Sequence, residues 1–270
     1  MSRIAACFEQ LRTRGEKALV PYVTAGDPDL GTTEALVLAM AEAGADLIEL
    51  GVPFSDPIAD GPTIQRASQR ALERATSLRR VLELTKRLRA RTEVPLLLMG
   101  HANPFYAMGP TGFAAAAAEA GVDGVIVADL PPEEGADLYG AAEKAGVDGV
   151  LLAAPTTTEA RLRFLAERTR GFLYYVSLTG VTGARAALAA DLAAAVGRVK
   201  ALSDVPVCVG FGVSTPEHAR EIARFADGVV VGSAIVERIE RARTPDEAVD
   251  SVARFVAELK AATRPAPKPR

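Results

Sequence analysis

A single carboxylate within a run of apolar residues is the feature of this sequence that most strongly suggests chemistry. Glu49 lies in LIEL, residues 47–50, one residue before the end of a predicted buried strand. An ionised carboxylate facing a layer of packed helices is strongly disfavoured, so Glu49 is expected to point to the other side of its strand. A carboxyl group there has a raised pKa and suits proton transfer near neutral pH. A structural ion pair is the alternative interpretation.

The loop after this strand carries two more carboxylates. Asp56 and Asp60 lie in SDPIADGP, residues 55–62, where Asp-Pro and Asp-Gly also form ordinary turns. Because the loop follows Glu49 directly, a second carboxylate reaching back towards it would allow separate acid and base roles.

Glycines in three later loops predict an anion site. Gly212 follows one predicted strand, and Gly232 and Ser233 open the helix after the next. Backbone N–H groups at such a helix start bind phosphate when no side chain blocks the approach. The loop 180–185, with glycines at 180 and 183, could add donors and close over the site. Ordinary helix caps and tight turns are the alternative interpretation.

The elements that position these residues follow from a recurring junction, a helix end with glycine followed by a β-branched apolar run. It occurs at residues 41–50, 118–130 and 142–153, and more loosely at 224–233. Buried parallel strands show this continuous hydrophobicity. The predicted strands are 19–24, 46–50, 95–99, 124–128, 149–153, 172–176, 207–209 and 228–231. The predicted helices between them include 32–43, 63–91, 112–120, 132–145, 159–168, 188–202 and 216–226.

Eight strands alternating with helices over about 250 residues predict a single-domain (β/α)8 barrel, or TIM barrel. An open doubly wound sheet is the rival, but no GxGxxG follows the first strand. Active sites of such barrels lie at the carboxyl ends of the strands, where Glu49 and the glycine loops fall. We expect the barrel to span residues 1–261, with 262–270 as a flexible tail.

Composition excludes several other classes of protein. The net charge of −3 argues against nucleic-acid or anionic-membrane partners, and no run of 18 apolar residues occurs. Two distant cysteines and the lack of a signal peptide favour the cytoplasm. The two histidines, His101 and His218, are too few for a histidine-rich metal site, and we expect no metal. No lysine ends a predicted strand, so a Schiff-base mechanism lacks its nucleophile.

Several motifs together resemble the tryptophan synthase α chain family. The resemblance runs in order along nearly the whole chain apart from the tail. It comprises PYVTAGDP at 21–28, IELGVPFSDPIADGPTIQ at 48–65, GVTGAR at 180–185, GFGVSTPEH at 210–218 and VVVGSAIV at 229–236. Tyr22 and His101 depart from it, since phenylalanine and tyrosine are frequent there.

The resemblance implies a carbon–carbon lyase that cleaves indole-3-glycerol phosphate to indole and D-glyceraldehyde 3-phosphate by a retro-aldol reaction. Glu49 is then the principal acid/base group, Asp60 binds the indole N–H, and Tyr174 matches the family's active-site tyrosine. The implied phosphate ligands are Gly183, Gly212, Gly232 and Ser233, and the implied indole pocket contains Tyr22 and Thr182.

The resemblance also implies an α2β2 complex, whose β chain receives indole for L-tryptophan synthesis and carries pyridoxal phosphate. No cofactor is expected in this chain. Two other functions are alternatives: a phosphosugar isomerase using Glu49 and Asp129, and a catalytically silent barrel that only activates a partner. The intact pair of Glu49 and Asp60 argues against the silent barrel.

Overall fold

Eight parallel strands close into a barrel in the computed structural model, each pairing with the next and β8 with β1. The structure describes residues 1–176, 185–210 and 212–265, and only the backbone of 185–191. The strands are β1 Ala18–Thr24, β2 Ile48–Gly51, β3 Leu96–Gly100, β4 Gly124–Val127, β5 Asp148–Ala153, β6 Leu173–Val176, β7 Val207–Gly210 and β8 Gly228–Val231. The predicted single-domain (β/α)8 barrel is confirmed.

Helices surround this barrel. Those described are α1 Arg3–Arg14, α2 Leu30–Glu42, α3 Pro62–Glu73, α4 Leu78–Arg89, α5 Ala102–Met108, α6 Pro110–Ala120, α7 Ala136–Lys144, α8 Glu159–Arg168, α9 Arg185–Leu202, α10 Pro216–Ala223, α11 Ser233–Arg241 and α12 Pro245–Thr263. Within the described residues, no helix is both long and apolar enough to cross a membrane.

Alternation along β2 separates the barrel interior from the helical layer. Leu47, just before the strand, joins a cluster inside the barrel, whereas Ile48 and Leu50 pack in the cluster beneath the helices. Glu49 is on the same side as Leu47 and faces the barrel mouth, as predicted. The side-chain period of two in a strand explains why one charged residue fits among these apolar ones.

Apolar side chains fill the barrel near the amino-terminal ends of its strands, and helix α1 packs against them. Ile4 and Phe8 of α1 belong to the same cluster as Leu47 and Cys208, and we call this cluster the floor. Phe8 also packs on Phe172, with ring centroids 5.9 Å apart. Cys208 is thus a core residue, as expected. The cavity at the carboxyl ends of the strands lies above this floor.

One predicted helix, 63–91, is wrong because it is two helices, α3 and α4. The break contains Ala75, which has a φ of +56°. Arg80 compensates for the break, since its Nη1 donates to the carbonyl oxygens of Arg74 and Ala75 at 2.9 and 3.2 Å. Thr76 fills the space above Gly26 in the loop after β1. The bonds from Arg80 therefore satisfy backbone groups on both sides of the left-handed residue.

The chain end differs from the expected boundary at 261. Helix α12 continues through Thr263, and both Ala262 and Thr263 are 2% exposed. Thr263 donates to the carbonyl oxygen of Lys260 at 3.1 Å and accepts a bond from the backbone N–H of Lys17 at its own carbonyl. These two residues are therefore part of the packed barrel; residues 266–270 lie outside the described part.

Candidate active site

A cavity of about 590 Å³ opens at the carboxyl ends of the strands. It is lined by seven of the residues predicted from sequence: Tyr22, Glu49, Asp60, Tyr174, Gly212, Gly232 and Ser233. The two others, Thr182 and Gly183, lie outside the described residues, as does most of the loop 180–185. The barrel thus brings together residues that are up to 211 positions apart, from Tyr22 to Ser233.

Glu49 lies at the bottom of the cavity, fully buried. Among the described residues, neither of its carboxyl oxygens has a hydrogen-bond partner. Burial alone raises the pKa of Glu49 to about 8, because desolvation disfavours the charged form and no partner offsets it. The alternative interpretation as an ion pair is therefore not supported by the described structure. A carboxyl group with this pKa can both donate and accept a proton near neutral pH.

Two tyrosines flank Glu49, and both are 8% exposed. Tyr22 is the register partner of Glu49 across β1 and β2, and its hydroxyl shares a hydrogen bond of 3.2 Å with Oγ1 of Thr24. The hydroxyl of Tyr174 packs against the Cα of Gly210, where a Cβ would overlap it. Burial and the nearby Glu49 raise the pKa of Tyr174, so it is a neutral phenol.

Asp60 lies at one side of the cavity, directly before the N-cap of α3. Its carbonyl oxygen accepts a hydrogen bond of 2.9 Å from Nε2 of Gln65, in the first turns of α3. Burial raises the pKa of Asp60, the charge of His101 lowers it, and Asp129 raises it further. His101 is 2% exposed, and its ring lies 5.4 Å from that of Phe54.

Asp129 is not positioned for the isomerase alternative. Its Oδ1 accepts a hydrogen bond of 2.8 Å from the backbone N–H of Ala102, at the start of α5. It does not line the cavity that contains Glu49. The structure therefore does not pair Asp129 with Glu49.

Another part of the cavity combines backbone at two glycines with the side chain of Glu237. Helix α11 begins at Ser233, directly after the cap residue Gly232, as predicted. The carbonyl of Gly232 accepts from Ile235 at 2.8 Å, while the N–H groups at the very start of a helix precede any intrahelical acceptor. Gly212 has a φ of +78°, which favours glycine. Positive helix-dipole charge and free N–H groups make this region suitable for an anion.

Several lining residues were missed by sequence reasoning. Apolar walls between Glu49 and the anion-binding region are expected for a ligand with an aromatic part. The missed residues include Ile64, Met99, Leu152, Thr157 and Ser214. The strand pattern could have located Met99 and Leu152, since each lies in a strand and faces inward. No sequence signal marked Thr157 as a lining residue.

Comparison with known proteins agrees with this geometry. The family model described as "Tryptophan synthase alpha chain" matches residues 8–264. A tryptophan synthase alpha chain from Citrifermentans bemidjiense is 56% identical over 260 residues, covering 96% of this chain and 97% of the relative. One from Geobacter sulfurreducens is 52% identical over 262 residues, covering 97% of this chain and 99% of the relative.

Solved structures give the same result. Tryptophan synthase subunit alpha from Legionella pneumophila superposes with a TM-score of 0.89 at 39% identity, covering 97% of this chain and 98% of that one. A chain of Mycobacterium tuberculosis tryptophan synthase has a TM-score of 0.89 at 38% identity, covering 98% and 99%.

The fold and the cavity are those of a barrel enzyme. The chain belongs to the tryptophan synthase α chain family. The α subunit of that enzyme is a lyase of tryptophan biosynthesis that cleaves indole-3-glycerol phosphate and passes the indole to a β subunit. Membership of the family thus implies a β-chain partner.

Proposed function

We propose that this chain cleaves indole-3-glycerol phosphate to indole and D-glyceraldehyde 3-phosphate in the cavity described above, with Glu49 moving the protons. The observation that carries the proposal is the burial of Glu49, which raises its pKa to about 8 and leaves its carboxyl oxygens without a hydrogen-bond partner in the described part of the chain. A carboxyl group in this state is protonated at neutral pH, yet its pKa is near enough to neutrality for both directions of proton transfer.

The reaction needs two proton movements and one bond cleavage. Protonated Glu49 first gives its proton to the ring carbon that bears the side chain, and the ring nitrogen takes up the positive charge. The resulting carboxylate then removes the proton from the hydroxyl group next to the ring. The carbon–carbon bond breaks, its electron pair restores the aromatic indole, and the hydroxyl carbon becomes the aldehyde. Glu49 ends protonated, as it began.

Asp60 is the group that we propose to hold the ring nitrogen. A carboxylate accepts a hydrogen bond from the indole N–H and stabilises the positive charge that forms there. Its place at the edge of the cavity, two residues before α3, supports this role. Tyr174 is the third proposed catalytic residue, and its burial beside Glu49 helps to exclude water.

The phosphate is proposed to bind at the backbone side of the cavity, on Gly212, Gly232 and Ser233. Gly183 belongs to the same proposal, and Thr182 joins Tyr22 in the proposed indole pocket. A phosphate anchored far from the reacting bond supplies binding energy that orients the carbons. The support from the described residues is the start of α11 and the positive φ of Gly212.

The wider setting of the chain is also a proposal. We infer an α2β2 assembly in the cytoplasm, with pyridoxal phosphate held by the β chain and no cofactor held by this one. The catalytic domain would span the barrel through Thr263, and the tail predicted from sequence lies, beyond residue 265, outside the described residues.

Indole release from indole-3-glycerol phosphate, measured with and without the β chain, tests the proposal. Glu49→Gln is expected to lose about 10²–10⁴ in kcat. Glu42→Gln is the matched control, because Glu42 is exposed at the end of α2, ahead of the strand that carries Glu49. Full turnover by Glu49→Gln would refute the role of Glu49. Activation of the β chain without cleavage would indicate the silent barrel instead.

A further inference from the structure

A buried carboxylate outside the cavity is held by an arginine of α3. Asp27, in the loop after β1, is 2% exposed. Arg70 donates from Nε to its Oδ1 at 2.7 Å and from Nη2 to its Oδ2 at 2.8 Å. Two parallel bonds of this kind fix direction as well as distance. Arg70 is therefore a rigid connection between the loop after β1 and helix α3.

The same guanidinium also reaches α11. Nη1 of Arg70 donates to Oε1 of Glu240 at 2.8 Å. Glu240 accepts two further bonds, of 2.8 and 2.7 Å, from Arg66. Hydrogen bonds from Arg66 and Arg70 lower the pKa of Glu240 to about 2, so it is an anion at neutral pH. Of these two arginines, Arg70 is the one that joins three elements.

Each of the three elements carries a different part of the proposed site. Strand β1 carries Tyr22, and α11 starts with Ser233. Helix α3 follows Asp60 and holds its carbonyl oxygen through Gln65. The elements also share an apolar contact, because Ala67 of α3 clusters with Tyr22 and with Val236 of α11.

We propose that Arg70 is a positioning residue, which holds helix α3, and with it Asp60, in place relative to the loop after β1 and the anion-binding start of α11 at the same time. The inference rests on the proposed function, in which one substrate is held by its ring nitrogen and by its phosphate at once. A displacement of about 1 Å far from the reacting atoms can reduce the rate about 10²-fold. Lysine would not replace Arg70 in this role, because an ammonium group cannot reproduce the two parallel N–H donors of the planar guanidinium group.

The test compares Arg70→Met and Arg70→Lys with a matched control, Arg66→Met, all in the presence of the β chain. Arg66 is on the same helix, carries the same charge and pairs with the same Glu240, but among the described residues it makes no contact with Asp27. Both Arg70 variants are expected to lose about 10- to 100-fold in kcat. Arg66→Met is expected to stay within about threefold, as its ion pair is half-exposed.

Binding measurements separate positioning from a merely structural role. Inorganic phosphate is proposed to contact only the start of α11. Its dissociation constant for the Arg70 variants is therefore expected to stay within about threefold of the wild-type value. An unreactive indolylalkyl phosphate, which spans both sides of the cavity, is expected to bind about tenfold more weakly. Millimolar guanidinium added to Arg70→Ala is expected to restore part of kcat, because the side chain of Arg70 is 31% exposed and its site is reachable.

Three results would overturn the proposal: kcat of Arg70→Lys within twofold of the wild type, equal losses in Arg66→Met, or parallel losses of phosphate and spanning-ligand affinity. If Arg70→Met does not fold, Arg70→Lys decides the outcome. A wild-type chain that fails to cleave indole-3-glycerol phosphate refutes the proposed function. The binding measurements would still test Arg70 in that case.

Discussion

Tyr22 stands directly opposite Glu49 across the parallel pair of β1 and β2, yet the two side chains do not share a hydrogen bond. The hydroxyl of Tyr22 is turned to Thr24 instead, at 3.2 Å. The carboxyl group of Glu49 is thereby left in an apolar environment beside a polar residue. This arrangement maintains its raised pKa, because a hydrogen bond to the carboxylate would lower it.

Tyr22→Phe is expected to change kcat/KM for indole-3-glycerol phosphate by no more than about threefold, since the hydroxyl does not contact Glu49. The melting temperature should fall slightly, because Thr24 loses a buried partner worth about 1 kcal/mol. Tyr175→Phe is the matched control, as Tyr175 packs beneath the helices. A loss above about 20-fold for Tyr22→Phe would mean that its hydroxyl contacts the substrate.

The pH dependence of cleavage should report the pKa of Glu49. Because protonated Glu49 starts the reaction, kcat/KM is expected to be highest below pH 8 and to fall above it, near the pKa of about 8. Steady-state indole release between pH 6 and 9.5 measures this profile. A descending limb that persists unchanged in the residual activity of Glu49→Gln would assign the titration to another group.

Stability should also depend on pH through Glu49. The folded-state pKa of about 8 lies above the ordinary value of 4.5, so the folded protein binds more protons than the unfolded chain between these values. The contribution of Glu49 to the free energy of unfolding therefore decreases as the pH rises through this window. Glu49→Gln removes this effect, and we expect its stability relative to wild type to increase from pH 5 to pH 8.

Urea denaturation of both proteins at several pH values measures the difference in their free energies of unfolding. Within the window, this difference is expected to change by up to about 1.4 kcal/mol for each pH unit. Glu42→Gln again serves as the control, because that side chain is exposed. A constant difference in stability across the window would contradict the raised pKa of Glu49.

Gly232→Ala should separate phosphate binding from folding. An added Cβ would lie 3.7 Å from the nearest atoms of Tyr22, which is an ordinary contact, so the fold should tolerate it. The methyl group would nonetheless occupy the cavity beside the start of α11. We expect KM for indole-3-glycerol phosphate to rise about tenfold with little change in melting temperature.

Gly197→Ala is the appropriate control for this substitution. Gly197 lies within α9, and a Cβ there meets no atom within 4 Å. Alanine in a helix should stabilise the chain by about 1 kcal/mol and leave KM unchanged. Equal KM values for Gly232→Ala and the wild type would place the phosphate elsewhere.

The strands were predictable to within two residues because buried parallel strands consist of continuous apolar runs between glycine-capped helices. The inward direction of Glu49 followed from the cost of facing it towards the helices. The break between α3 and α4 was not predicted, because the bond from Arg80 to Arg74 and the packing of Thr76 on Gly26 leave no periodic pattern in the sequence.

The residues of the candidate site were also predictable from the sequence only in part. Residues at strand ends, such as Glu49 and Gly232, were found because the barrel fixes which end of each strand carries function. The pairing of Asp27 with Arg70 was not found, since Asp-Pro is equally typical of a turn. A hydrogen bond between residues 43 positions apart leaves no local pattern.

The floor of the barrel has a consequence for how products leave. Ile4 and Phe8 fill the base together with the inward side chains of the strands, so this packed layer lies between the cavity and the amino-terminal end of the barrel. The substrate and both products are then expected to pass through the opening at the carboxyl ends of the strands. A subunit bound over this opening would control the release of the aromatic product without any movement of the barrel strands.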